Sequence, residues 1–137
     1  MRNSITSLVV CLLALAGCAP SEEQMAKELE TEVIALHDSV MANMGDLYNS
    51  RKELAALKDS LLADDTLLQQ KFDAGIAQLA EADEQMMQWM RNYKAPDLKQ
   101  PAEAVPYLQQ EKEKMEKVQQ NIEQSLQHAQ DLKAQLK

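Results

Sequence analysis

Along most of this chain the apolar residues recur at alternating steps of three and four, and that period decides what it can fold into. Between Ser21 and Leu62 they fall at Leu29, Val33, Leu36, Val40, Leu47, Leu54, Leu57 and Leu61, with polar gaps at Asn43 and Ser50. At 3.6 residues per turn these side chains line one stripe, which must be buried against a partner stripe. The rhythm returns at Phe72, Ile76, Leu79, Asp83, Met86, Met90 and Tyr93, and again at Leu108, Met115, Val118, Ile122, Ala129, Leu132 and Leu136. Three helices are expected, over about 21–62, 66–94 and 104–136, in an all-α up-down-up three-helix bundle or antiparallel coiled coil. Ser21 with Gln24 fits a capping box, and the turn Ala63-Asp64-Asp65-Thr66 offers an aspartate N-cap to the second helix. Residues 96–106, with three of the four prolines, form the one irregular linker, and Pro106 suits a first helical turn.

The first seventeen residues have another character. Arg2 precedes the apolar run Leu8-Val9-Val10-Cys11-Leu12-Leu13-Ala14-Leu15-Ala16, the layout of a secretory signal peptide to be cleaved before folding. The run ends in Leu15-Ala16-Gly17-Cys18, which resembles the lipobox of bacterial lipoproteins. That resemblance implies cleavage before Cys18 and lipid, including palmitate, on its thiol and amine. Residues 18–23 then form a lipidated tether and 24–137 the helical domain. Cys11 leaves with the leader and Cys18 carries lipid, so stability is expected from packing without a disulfide. Loss of Arg2 takes the formal charge from −8 to −9, which disfavours nucleic acid and adsorption to anionic lipid. Multiple acyl chains are the expected attachment to the membrane. Ala19 after the cysteine, by resemblance to sorted lipoproteins, favours the outer membrane. Ser21-Glu22-Glu23 resembles the acidic signals that display some lipoproteins outwards, so periplasmic and surface faces both stay open.

Folding the first two helices about Ala63 sets Leu54 level with Phe72, Leu47 with Leu79, Val40 with Met86, Leu36 with Met90 and Val33 with Tyr93. The polar breaks Asn43 and Asp83 then meet, and such a pair fixes register. Beside this seam His37, Met41 and Met44 share a helical face, level with Met87, Met86 and Asp83, and Met90 and Trp89 complete the layer. Thioethers with one imidazole are soft donors suited to Cu(I) or Ag(I), and Trp89 is placed to cap such an ion by a cation–π contact. The ligand types resemble those of periplasmic copper and silver metallochaperones, although those are small β-barrels. The competing reading is a methionine-rich packing layer, because Met fills irregular gaps and packs well on aromatics. Haem ligation by His37 with Met86 or Met90 lacks both a fourth helix and a Cys-x-x-Cys-His attachment.

Catalytic parts are missing. There is no nucleophile beside a base, no phosphate-cradling glycine loop and no paired His/Glu spacing for zinc. His128 and the run Glu111-Lys112-Glu113-Lys114 read as solvated faces. The segments His37-Asp38-Ser39-Val40-Met41 and Met86-Met87-Gln88-Trp89-Met90 are similar to those of small helical lipoproteins sometimes labelled viral A-type inclusion protein, a resemblance that implies no activity. The terminal Lys137 resembles the end of the peptidoglycan-linked lipoprotein, but Gln135-Leu136 replace that family's Tyr-Arg. The expectation is a non-catalytic lipid-anchored protein for envelope interaction or scaffolding, its partner an envelope protein or a second copy. Soft-metal binding in the periplasm is the alternative, and no other cofactor is expected.

Overall fold

The computed structural model describes residues 20–61 and 65–136. The expected leader, Cys18 as the expected lipidation site, and the turn residues Ala63 and Asp64 lie outside them. Three helices follow one another, α1 (Glu22–Leu61), α2 (Thr66–Asn92) and α3 (Pro101–Ala134), and each packs against the other two. The protein is an all-α three-helix bundle. No described helix is long and apolar enough to cross a membrane.

Local chemistry sets the helix ends. At the start of α1 the Gln24 amide donates to Ser21 Oγ at 3.1 Å, while the Gln24 side chain reaches forward to Glu28 instead of closing the capping box. The Leu68 amide donates to Asp65 Oδ1 at 2.9 Å, the cap expected for α2. Helix α3 begins earlier than the sequence indicates. Pro101, not Pro106, takes the first-turn position, and Pro106 lies within the helix. Asp97 makes that early start possible: its carboxylate accepts from the Lys99 amide and the Gln100 side chain, while its carbonyl accepts from the Gln100 amide. Pro106 forfeits one backbone bond near the helix end, where few bonds depend on it.

The topology is written in the ion pairs. Lys112 meets Glu32 at 2.6 Å and Lys133 meets Glu53 at 2.8 Å, both pairs eighty residues apart in sequence. A constant offset means that α1 and α3 run parallel. Helix α2 runs against both: Lys58 bonds Asp73 at 2.6 Å beside the first turn, and Asn121 Nδ2 donates to Gln85 Oε1 at 2.7 Å midway along α3.

The core is a stack of heptad layers. Ala26, Val33, Val40, Leu47 and Leu54 repeat every seven residues along α1, and all are buried. Leu29, Leu36 and Leu57 pack half-buried beside them. On α3 the buried set runs Ala104, Leu108, Glu111, Met115, Val118, Ile122, Ser125, Ala129 and Leu132, in steps of four and three. Each fully buried Leu, Phe or Met side chain contributes about 1.5–3 kcal/mol of transfer free energy.

On α2 the buried row differs from expectation. Phe72, Leu79 and Met86 are buried as predicted, but their companions are Gly75, Ala82 and Trp89, not Ile76, Asp83 and Met90. The cause is steric. A Cβ on Gly75 would stand 2.5 Å from Leu132 Cδ1 and 3.4 Å from Leu54 Cδ1, so all three helices converge there. Small residues at positions 75 and 82 admit α3, which turns Ile76, Asp83 and Met90 out to the flank beside α1. Apolar size alone misreads this row, because the positions that matter are filled by residues with almost no side chain.

Candidate functional site

Near the α2–α3 linker, an aromatic ladder crosses the bundle. The His37 ring lies 5.7 Å from Trp89, tilted by 36°. Trp89 stacks on Tyr93 with centroids 4.7 Å apart, and Tyr93 lies 6.3 Å from Tyr107. Steps of four residues bring Trp89 and Tyr93 together on α2, while α1 and α3 supply the outer rungs. His37 Nδ1 is 3.0 Å from Asp38 Oδ1, and the Tyr107 hydroxyl accepts from the Lys94 amide at 3.0 Å. The middle rungs are less well served: Trp89 Nε1 and the Tyr93 hydroxyl are buried without a hydrogen-bond partner. Burial pushes the Tyr93 phenol above its ordinary range, and the Glu30, Tyr107 and Glu111 charges add to the shift.

The methionines do not converge on one point. Met86 and Met115 are wholly buried in the core, Met44 and Met90 pack half-buried against it, and Met41 and Met87 are 40% exposed. The expected layer is therefore graded from centre to surface. Met86 is committed to packing, and the donors left outside the closed core are His37, Met41, Met44, Met87 and Met90. Trp89 does lie against His37, the place expected of a cap. Among the described residues no three His, Cys, Asp or Glu side chains gather as a metal site.

The proposed Asn43–Asp83 pair does not form. Asn43 Nδ2 donates to the Ser39 carbonyl of its own helix at 3.2 Å. Asp83 lines a cavity of about 40 Å³ with Leu47, Tyr48, Arg51 and Leu79, one turn further along α1. Side-chain height explains the miss. Asp83 is on the flank of α2, where it looks past Asn43 towards Tyr48 and Arg51, while Asn43 finds a nearer acceptor.

Two polar features read from sequence as solvent faces are structural. Glu111 is only 5% exposed in the α3 seam, where it accepts from Lys114 at 2.7 Å. His128 is half-buried and bonds Gln78 across the α2–α3 groove, one heptad from the Gln85–Asn121 bond. These two cross-links lie in an open polar groove of about 380 Å³ floored by Ala82 and Ser125. The small floor residues were the available signal, since side chains above them must reach across the gap. A second groove of about 360 Å³ continues past Trp89 towards Lys114 and Lys117. Elsewhere the charged residues act pairwise. Hydrogen bonds to Asp73 and Glu32 hold the Lys58 and Lys112 ammonium groups above their ordinary range.

The geometry supplies packing, apolar surface and soft donors, and no acid–base or nucleophilic constellation among the described residues. No family model, curated protein or solved structure matches this chain.

Proposed function

We propose that this chain is a non-catalytic bacterial lipoprotein, anchored through lipid on Cys18 and presenting an acidic helical bundle for envelope interaction or scaffolding, with the outer membrane favoured. The observation that carries it is the distance from anchor to rod. Helix α1 begins at Glu22, four residues after Cys18, and runs for 40 residues. At 1.5 Å per residue it extends about 60 Å. A rod so closely tethered stands its far end, where α1 meets α2, well away from the lipid. A minus-nine surface keeps its sides off anionic headgroups. The bundle's interior is filled by its own side chains, so its business is on its flanks.

The test is fatty-acid labelling and membrane fractionation of the full chain. Wild-type protein is expected to take up labelled palmitate and to sediment with membranes, and Cys18→Ser to lose both. Unlabelled wild-type protein in the soluble fraction would refute the anchoring.

A second reading has one observation in its favour: His37, Met41, Met44, Met87 and Met90 remain outside the closed core, with Trp89 against the imidazole. Those donors suit Cu(I) or Ag(I). Titration of the unlipidated chain against a competing chelator tests it. Sub-micromolar binding abolished by Met41→Leu with Met87→Leu supports a metal site, and absence of binding removes it.

A further inference from the structure

The bundle buries one seam on each helix, yet α1 and α2 carry a second. On α1 it runs Ile34, His37, Met41, Met44, Tyr48 and Arg51, in steps of three and four. On α2 it runs Ile76, Ala80, Asp83, Met87 and Met90 with the same alternation. A repeated 3–4 spacing is what a helix needs to receive another helix; Met44, Ile76 and Met90 lean half-buried against the chain's own core, while Ile34, Met41, Tyr48 and Met87 stay exposed. All six large apolar side chains left exposed among the described residues, including Ile34, Met41, Tyr48 and Met87, are on α1 and α2, and none is on α3. Four of the six, Ile34, Met41, Tyr48 and Met87, belong to these two rows, while Met25 and Leu67 lie off them.

We infer that this α1–α2 face is the interface of a parallel two-fold dimer of the chain. Arg51 and Asp83 decide the occupant. Both are half-buried, both line the same small cavity, and neither forms an ion pair with the other or with any described residue. Their shared cavity places them at one height on opposite banks of the α1–α2 groove. A two-fold axis along the rod lays α1 of one copy beside α2 of the other and leaves heights unchanged. Arg51 of each copy then faces Asp83 of the second, and two orphaned charges become two cross-copy pairs. An antiparallel arrangement centred on Met41 and Met44 sends Arg51 to the height of Ile34 and leaves it without a carboxylate partner. Methionine on both banks adapts readily to a like surface.

From Ile34 to Arg51 the face is about 26 Å long. Two helices, each about 10 Å across, then give on the order of 500 Å² per copy. Stable dimers bury about 800 Å² per partner, so this one is expected to dissociate in the micromolar range. The inference names a partner for the tethered rod, but it rests on side-chain placement alone. It is tested without lipid, so its failure and that of the anchoring are separate results.

The experiment is sedimentation equilibrium of the chain from Ala19 onward, which keeps every described core residue and contains no cysteine. Between about 1 and 100 μM, reversible monomer–dimer association is expected. Met41→Asp is expected to weaken it tenfold or more with an unchanged circular dichroism spectrum. Met41→Leu with Met87→Leu, which removes the two exposed thioethers of the face and keeps it apolar, is expected to preserve it. Arg51→Asp and Asp83→Arg set like charges opposite each other, and each alone is expected to weaken the dimer at least tenfold. An equimolar mixture of the two variants restores both cross-copy pairs and is expected to recover most of the wild-type affinity. A wild-type chain that stays monomeric at about 100 μM, or a mixture no tighter than either variant alone, overturns the inference.

Discussion

Alanine at Gly45 and alanine at Gly75 are expected to move stability in opposite directions. Both glycines lie inside helices, so each substitution gains about 1 kcal/mol of helix propensity. Gly45 collects that gain in full, because a Cβ there meets nothing within 4 Å. For a domain of this size the gain raises Tm by roughly 4–5 °C. At Gly75 the new methyl group would stand 2.5 Å from Leu132 Cδ1 and 3.4 Å from Leu54 Cδ1, and both leucines are fully buried. Leu132 must leave its well or α3 must retreat, and overpacking of this kind costs about 1–3 kcal/mol. The net effect is a loss of about 0–2 kcal/mol, so the two variants should differ by about 2 kcal/mol. Urea denaturation of the unlipidated chain measures the difference, provided that the m-value stays constant. A thermodynamic cycle with Leu132→Ala sharpens it. If the clash is real, Gly75→Ala costs less, or turns favourable, once Leu132 is gone, with a coupling above about 0.5 kcal/mol. Equal stabilisation by both substitutions would refute the close approach of the three helices at Gly75, and with it the reason given for the rotation of α2.

Tyr93→Phe removes a buried hydroxyl that has no partner, so it is expected to leave stability unchanged or raise it by about 1 kcal/mol, where loss of a bonded hydroxyl would lower it. Its pH dependence has a definite sign. The phenol binds its proton more tightly in the folded chain, so its contribution is complete below the ordinary tyrosine range and is lost as pH rises through the folded value. Lys58 and Lys112 shift the same way. Thermal stability should therefore hold through neutral pH and fall above about pH 10, less steeply in Tyr93→Phe; an equal fall in both would deny Tyr93 that role. Lys114→Ala strands the Glu111 carboxylate in the α3 seam and is expected to cost about 1–3 kcal/mol, whereas Glu111→Leu is expected to be neutral or stabilising by chemical denaturation.

The period of three and four made the fold legible, since no other architecture buries three long stripes of this kind. Val33, Val40, Leu47, Leu54, Phe72, Leu79, Met86, Leu108, Met115, Ile122 and Leu132 are core residues in sequence and structure alike. Misreadings gathered where a seam position is filled by something small or charged. Gly75 and Ala82 carry too little apolar weight to outvote Ile76 and Met90, although they decide which way α2 faces. Glu111 reads as one charge in a solvated run because a carboxylate carries no apolar weight, although its position falls on the three-and-four alternation between Leu108 and Met115. The Asn43–Asp83 pair failed for a related reason. Register read from a hairpin is good only to about one turn, and the structure sets Asp83 on the flank of α2 beside Leu47, Tyr48 and Arg51, one turn beyond Asn43. Met41 and Met87 are each 40% exposed, and that exposure depends on where α3 lies, which the hairpin by itself leaves open.

The twin bridges Lys112–Glu32 and Lys133–Glu53 carry a consequence for length. They are three heptads apart on both helices, and the layers between them repeat the same construction. The bundle is thus built in modules of seven residues, each adding about 10 Å to the rod. Removing one module from all three helices at the same height leaves every remaining layer facing its own neighbours, as does inserting one. A deletion of three or four residues in a single helix instead slips it against the other two. The reach of the rod is therefore a quantity that can be set in whole steps, independently of the aromatic end and of the turn that closes the hairpin.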